Sequence, residues 1–402
     1  MSGKPLWKCR GPVIVLMAFT ALISGPVWQA LQGQTPSKAA AAAEAPPLVF
    51  RARDILRPEV LTDTDYTIDE TVVLNGQRFE FHLKTRWGSL KADGLNMLDL
   101  RLAEMRSIAQ ARKLSEDSQF LDGLLKNVNS TRRGVQSLLS QPATTVLQTP
   151  LRVGKLLDSR LQPADRRAGS ATRRQLAVQI GCDPETTNPI LKHLLDQLAL
   201  RKGLGSLAGK AGLSLALPGL GLLPASAEWS ESVALRLPHE VNRQLDQQLS
   251  AAKVHPQTRQ SFLSQKHFTT TQRVLLVVLL QRLPAVENRE VLIEIAAGCT
   301  TDAEALQVLQ LGELMLRLHT KFPIRRFVKT MPPIVECADS QTVLVISADY
   351  LSDSGRFNKQ LSNYRRLYPQ SSAAVLTTGY IDPAGRALLK RHSVEVMQVS
   401  VR

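Results

Sequence analysis

Two periodicities divide the chain. In the run "QRFEFHLKTRW", Phe79, Phe81 and Leu83 alternate with Arg78, Glu80, His82 and Lys84, the period of two expected of a strand with one buried and one solvated face. The preceding run "YTIDETVVL" is also strand-like, and Asn75-Gly76 between the two predicts a hairpin closed by a type I′ turn. Gly88 permits a third short strand, "SLKA". A hairpin is marginal by itself and its apolar face needs a cover. Leu95, Leu98, Leu102, Met105 and Ile108 recur at helical spacing and supply one over residues 94–112. Glu80 and His82 fall on the opposite face, which marks them as solvated strand residues rather than a catalytic pair.

From residue 113 to about 325 the pattern is helical. Thr301 with Glu304 predicts a capping box ahead of "DAEALQVLQLGELMLRLH", and Gly298 a stop for the helix before it. The run "VLLVVLLQRL" is too short to span a bilayer and predicts a core helix, while "HEVNRQLDQQLSAAK" predicts a solvated amphipathic one. The last eighty residues change character. "TVLVISADY", "AAVLTTGYI" and "SVEVMQVSV" are strand runs separated by the helical "GRFNKQLSNYRRLY" and "PAGRALLKRH". That order predicts a small three-stranded parallel α/β unit. The fold class is therefore α+β: an N-terminal β-hairpin or meander with a helix (residues 50–112), a largely α-helical middle (113–325) and a small C-terminal parallel α/β unit (326–402).

The first thirty residues depart from this picture. Lys4, Lys8 and Arg10 precede an apolar run over residues 13–24 that Gly25 and Pro26 break, the plan of a bacterial export signal. The run falls short of the roughly 20 apolar residues of a membrane span. That favours a cleaved signal over an uncleaved anchor for residues 1–30, although Trp28 two positions before Ala30 denies a clean small-x-small cleavage site. Cys9 precedes the apolar run and so is not a lipoprotein cysteine. Residues 31–49, rich in Ala and Pro, predict a flexible linker. The location implied is exported, periplasmic or inner-membrane-associated in a bacterium.

Charge then singles out one region. The 402-residue chain carries a formal +15, and residues 126–174 hold ten basic residues against Asp158 and Asp165. Arg132, Arg133, Arg152, Lys155, Arg166, Arg167, Arg173 and Arg174 are the candidate binding residues for an anionic partner. Single-stranded nucleic-acid binders stack bases on aromatic rings, and no Phe, Tyr or Trp lies between Phe120 and Trp229. An anionic membrane surface or envelope polymer needs only the charge, and export also disfavours nucleic acid. Residues 203–227, small and apolar, predict a packed internal helix and loop ahead of a membrane-inserted hairpin, because each half is too short to cross a bilayer.

The stretch "GCDPETTNPIL" (181–191) looks like a chemical site. As a helix-turn-helix it fails, because Pro189 would sit inside a recognition helix started near Pro184. Gly181 instead predicts a C-cap, Asn188 an N-cap and Pro189 the first residue of the next helix. Cys182 would be a nucleophile only beside a base, and His193 is the neighbour of that kind. Cys182, Cys299 and Cys337 show no paired spacing, so neither a disulfide framework nor a zinc site is expected, and buried single thiols are. No cofactor motif is present.

In the C-terminal unit, ligands of a parallel sheet bind outside the carboxyl ends of its strands, which makes Asp349 the candidate catalytic residue and Thr377, Thr378 and Gly379 its company. Asp382-Pro383 and Ser352 or Ser354 have a plainer role as helix caps. The hairpin, the phrase "LDLRLAEMRSIAQARKL" and the turn "DPETTNPIL" resemble a group of bacterial exported proteins of no assigned activity. That likeness covers residues 60–230 and implies export but no chemistry. The expectation is a non-enzymatic envelope-associated binding or structural protein, with partners other than the anionic surface unspecified. The alternatives are a hydrolase-like enzyme working at the strand ends of residues 342–402 and a nucleic-acid binder.

Overall fold

Alternation in residues 78–85 becomes the central strand of an antiparallel sheet. The computed structural model describes residues 48–114, 163–201, 236–283 and 285–397. Strand β1 (Val49–Arg51) leads through two one-turn helices, α1 (Ala52–Ile55) and α2 (Pro58–Leu61), to β2 (Tyr66–Ile68), β3 (Thr71–Asn75), β4 (Arg78–Thr85) and β5 (Gly88–Asp93). β5 pairs along one edge of β4, while β3 and β2 lie end to end along the other. "YTIDETVVL" is thus two strands rather than one, broken where the Glu70 carbonyl turns away to accept from the Ala52 amide. Phe79, Phe81 and Leu83 are buried and His82 is exposed, as the alternation requires.

The hairpin turn differs from expectation by one residue. Asn75 pairs with Arg78, which leaves Gly76 and Gln77 as the central residues. Gly76 has φ +67 and Gln77 has negative φ, the type II′ pattern with glycine first.

Helix α3 (Leu95–Leu114) covers the sheet, and α4 (Pro163–Gln179) packs against α5 (Pro189–Arg201). Then follow α6 (Pro238–Ala251), α7 (Pro256–Leu263), α8 (Thr270–Gln281), α9 (Val291–Ala297) and α10 (Asp302–Lys321). α6 buries Val241, Leu245 and Leu249 on one stripe, whereas nearly all of α8 is buried. These match the amphipathic and core expectations. α10 contacts α3, α8 and the C-terminal sheet, so it joins the two ends of the chain. Its cap departs from the predicted box: Thr301 Oγ1 accepts from the Glu304 amide, but the Glu304 carboxylate reaches back to the Thr300 amide at 2.7 Å. Among the described residues no helix is long and apolar enough to cross a membrane.

The C-terminal sheet has five strands rather than three. β8 (Thr342–Ile346), β10 (Ala373–Thr377) and β12 (Glu395–Met397) are parallel, connected through α11 (Gly355–Leu367) and α12 (Pro383–Arg391). β6 (Ile324–Val328) and β7 (Ile334–Cys337) extend the sheet antiparallel. The extra pair escaped the pattern because two arginines and a prolyl loop interrupt it. Tertiary pairing resolves that conflict, since Glu336 accepts from Arg325 and Arg326 at 2.6 Å each and its carboxyl is held down at about 2, chiefly by the Arg326 hydrogen bond. Two further short strands, β9 (Tyr350–Leu351) and β11 (Tyr380–Ile381), pair parallel beyond the ends of β8 and β10. Val343 and Val345 face the main core, while Leu344 and Ile346 face α11 and α12. Helices therefore cover both faces of this sheet, as its unbroken apolar strands demand.

Residues 1–30, most of the linker, Arg132, Arg133, Arg152, Lys155 and segment 203–227 lie outside the described residues.

Candidate functional site

Residues 180–188 form a connection whose polar groups find partners inside the protein. Gly181 takes φ +70, its amide donates to the Val178 carbonyl, and the Cys182 amide donates to the Ala177 carbonyl at 2.9 Å. Those two bonds make a Schellman motif, which ends α4 and drives the residue after the glycine into the core. Cys182 is that residue, and it is 3% exposed. Burial pushes its thiol well above the ordinary range, the reverse of what a nucleophile needs. Asn188 Oδ1 accepts from the Ile190 and Leu191 amides, so it caps α5 with Pro189 as its first residue.

The remaining polar side chains knit three helices together. Glu104 on α3 accepts from Thr186 Oγ1, from Asn188 Nδ2 at 3.0 Å and from Arg101 Nη1 at 2.7 Å. Arg101 also donates to Thr187 Oγ1 at 2.8 Å. Asp183 accepts from Thr269 Oγ1 at 2.7 Å, and Glu185 accepts from the Thr270 amide at 2.6 Å, at the N-terminus of α8. Burial raises the Asp183 carboxyl to about 6 against these hydrogen bonds. A void of about 20 Å³ at the edge of the network, beside the His267–Asp302 pair, is the size of one water. Arg101 and Glu104, three residues apart, are the buried charged pair of a helix that also carries Asp99, Arg106, Arg112 and Lys113, so the sequence did not mark them as the place where this loop docks.

Asp349 is likewise a joint. Its Oδ2 accepts from the Phe79 amide at 2.9 Å and from the Leu95 amide at 3.2 Å, and its own amide donates to the Gln77 carbonyl at 2.9 Å. The C-terminal sheet is thereby clipped to the hairpin and to the start of α3. Tyr350 next to it packs on Phe50 and Phe79 with ring centroids 4.9 and 5.7 Å apart. Burial raises the Asp349 carboxyl to about 6, opposed by those two backbone amides. Thr377 Oγ1 accepts from the Gly379 amide, Asp382 caps α12 and Ser354 caps α11.

An open cleft does lie at the carboxyl end of β8, and Asp349 is not in its lining. It measures about 480 Å³ and is walled by the hairpin tip, the first turns of α10, the loop Met331-Pro332-Pro333, the end of β8 and one face of α11. That volume is within the roughly 300–1,000 Å³ of small-molecule sites. Its charged lining is Arg78, Arg356 and Lys359 against Glu304. Arg78 lies 3.3 Å from Asp93 and donates to Gln307 at 3.3 Å, and Glu304 is held by Thr300. Gln77 Nε2 donates to Gln360 Oε1 at 3.1 Å across the cleft mouth. Cys299 also lines it, with its thiol raised to about 12 by burial. Among the described residues no group of His, Cys, Asp and Glu could hold a metal ion. The sequence marked Asn75, Gly76, Arg78, Gly298, Cys299 and Glu304 only for strand, turn, cap or core duties and not as a site, since the lining comes from six separate segments.

Of the basic binding candidates, Arg173 lies 3.2 Å from Asp196 of α5, and burial lowers the Arg174 guanidinium from its usual range. Arg173 thus bridges α4 and α5, Arg174 lies within the field of Glu185 and Glu240, and Arg166 and Arg167 lie earlier on α4. No family model matches the chain, and no curated protein or solved structure matches it significantly.

Proposed function

We propose that the chain is an exported, envelope-associated binding protein that docks to an anionic membrane or polymer through residues 126–174 and holds its ligand in the cleft beside α11. The observation that carries the binding half is the make-up of the cleft. It offers cations, amide side chains and apolar residues in a volume suited to a small molecule. The hydrolase alternative loses its motive, because the Asp349 carboxylate is turned to the Phe79 and Leu95 amides and does not line the cleft. Docking is supported by charge segregation, with ten bases against two acids in residues 126–174. Counter-charge there must come from outside that segment. The segment runs into α4, which the Schellman turn and the Glu104 network fasten to the body.

Flotation on vesicles containing anionic lipid tests docking. The full chain should float, and a chain lacking residues 126–162, which spares α4, should stay in the soluble fraction. Flotation of neither protein on anionic lipid together with failure of both to sediment with anionic envelope polymer, or equal flotation of both proteins, overturns it.

A further inference from the structure

The register of α11 is set by its buried face. Phe357, Leu361 and Tyr364 are packed in the core between this helix and the C-terminal sheet. Helical spacing then places Arg356, Lys359 and Asn363 on a common side, and all three line the cleft. Arg356 rests on the hairpin tip: its Nη1 is 3.3 Å from where a side chain on Gly76 would begin. The glycine demanded by the turn is thus also what makes room for the guanidinium. Among the described residues neither Arg356 nor Lys359 has an ion-pair or hydrogen-bond partner. The two other charges in the lining are already engaged, Arg78 with Asp93 and Glu304 with Thr300. The cleft therefore has two adjacent cations with no ion-pair partner among the described residues, at the carboxyl end of β8, where ligands of parallel sheets bind.

Other lining residues have different chemistry. Val308, Leu311 and Pro333 supply an apolar surface. No Phe, Tyr or Trp is in the lining, so a nucleobase would find no ring to stack on. We infer that the cleft binds an anionic amphiphile, with a phosphate or carboxylate seated between Arg356 and Lys359 and a short apolar body lying toward Val308 and Pro333. Arginine contributes a planar fork that matches two oxygens of such a group, and lysine a mobile point charge. The inference rests on the reading of the cleft as the binding site, and adds the class of ligand.

Calorimetric titration of the full chain with hexyl phosphate, hexanoate, inorganic phosphate and neutral hexanol tests it. Hexyl phosphate should bind more tightly than inorganic phosphate by about tenfold or more, since each methylene withdrawn from water adds affinity. Hexanol should bind more weakly than hexyl phosphate by a similar factor. The double variant R356Q/K359Q, on exposed positions, should weaken hexyl phosphate and hexanoate by about tenfold or more, and the swap R356K/K359R should restore most of the loss. Hexanol binding as well as hexyl phosphate, or a double variant indistinguishable from the parent, overturns the anion seat. The variant N363W, which fills the cleft from α11, separates the two levels. Binding that ignores charge but disappears in N363W keeps the cleft as the site and rejects the anion. Absence of binding by every ligand, or binding that survives N363W, rejects both. In the chain lacking residues 126–162, competition by vesicles containing phosphatidic acid identifies a lipid headgroup as the source of the anion, and lack of competition identifies a soluble ligand.

Discussion

The loop at residues 180–188 and the cleft beside α11 are built from similar residue types and have opposite fates. In the loop, Asp183, Glu185, Thr186, Thr187 and Asn188 all meet partners on α3 or α8. In the cleft, Arg356 and Lys359 meet none among the described residues. A cluster of polar residues in sequence is therefore a poor guide to a site. What distinguishes a site is polar groups left unsatisfied around a space that a ligand can enter.

Breaking the loop should cost most. Glu104→Ala leaves the Arg101 guanidinium, only 7% exposed, without its carboxylate, and a buried charge stripped of its partner typically costs about 3–5 kcal/mol. Urea unfolding followed by circular dichroism checks this. A loss below about 1 kcal/mol would mean that the network is solvated and that the contrast with the cleft is false.

Asp349 comes next, because it stands beside the cleft yet behaves like the loop. Its carboxyl is raised from 3.8 to about 6 by burial, so the folded state holds the proton more tightly than the unfolded one. The stability it contributes is full below pH 3.8, falls as the pH rises through about 6 and is flat above that. The span corresponds to about 3 kcal/mol. Asp183 shifts in the same sense, so the difference between the parent and Asp349→Asn isolates the one group. Asparagine keeps an acceptor for a backbone amide and does not titrate. If the two proteins show parallel stability profiles between pH 4 and 7, the burial assigned to Asp349 is wrong.

The smallest effect belongs to the cleft. R356Q/K359Q removes two exposed cations that have no partner among the described residues, so its unfolding free energy should change by no more than about 0.5 kcal/mol. A stability loss approaching that of Glu104→Ala would show that these residues hold the fold together, as the loop does.

Local signals were legible where one residue type suffices for one backbone duty. Gly181, Asn188 and Pro189 dictate the end of α4 and the start of α5 within their own few residues. Asp382 and Ser354 cap their helices in the same way. The alternation of residues 78–85 likewise fixes which face of β4 is buried. By contrast the hairpin turn slid by one residue, because Asn-Gly and Gly-Gln satisfy different turn types and only the pairing of Asn75 with Arg78 chooses between them.

What the amino-acid order determined alone is thus the α+β plan, the caps, the buried faces and the concentration of charge in residues 126–174. Tertiary structure decided the rest. Arg101 and Glu104 acquire their roles only when residues 180–188 dock on α3. β6 and β7 join the sheet by antiparallel pairing, with Glu336 accepting from both Arg325 and Arg326. The cleft exists because Asp349 clips the C-terminal sheet to the hairpin and brings Gly76 against Arg356, 280 positions away in sequence. Periodicity and capping are local, and act over one or two turns of chain. Whether a charge is satisfied depends on which distant segment folds beside it, and no local pattern carries that information.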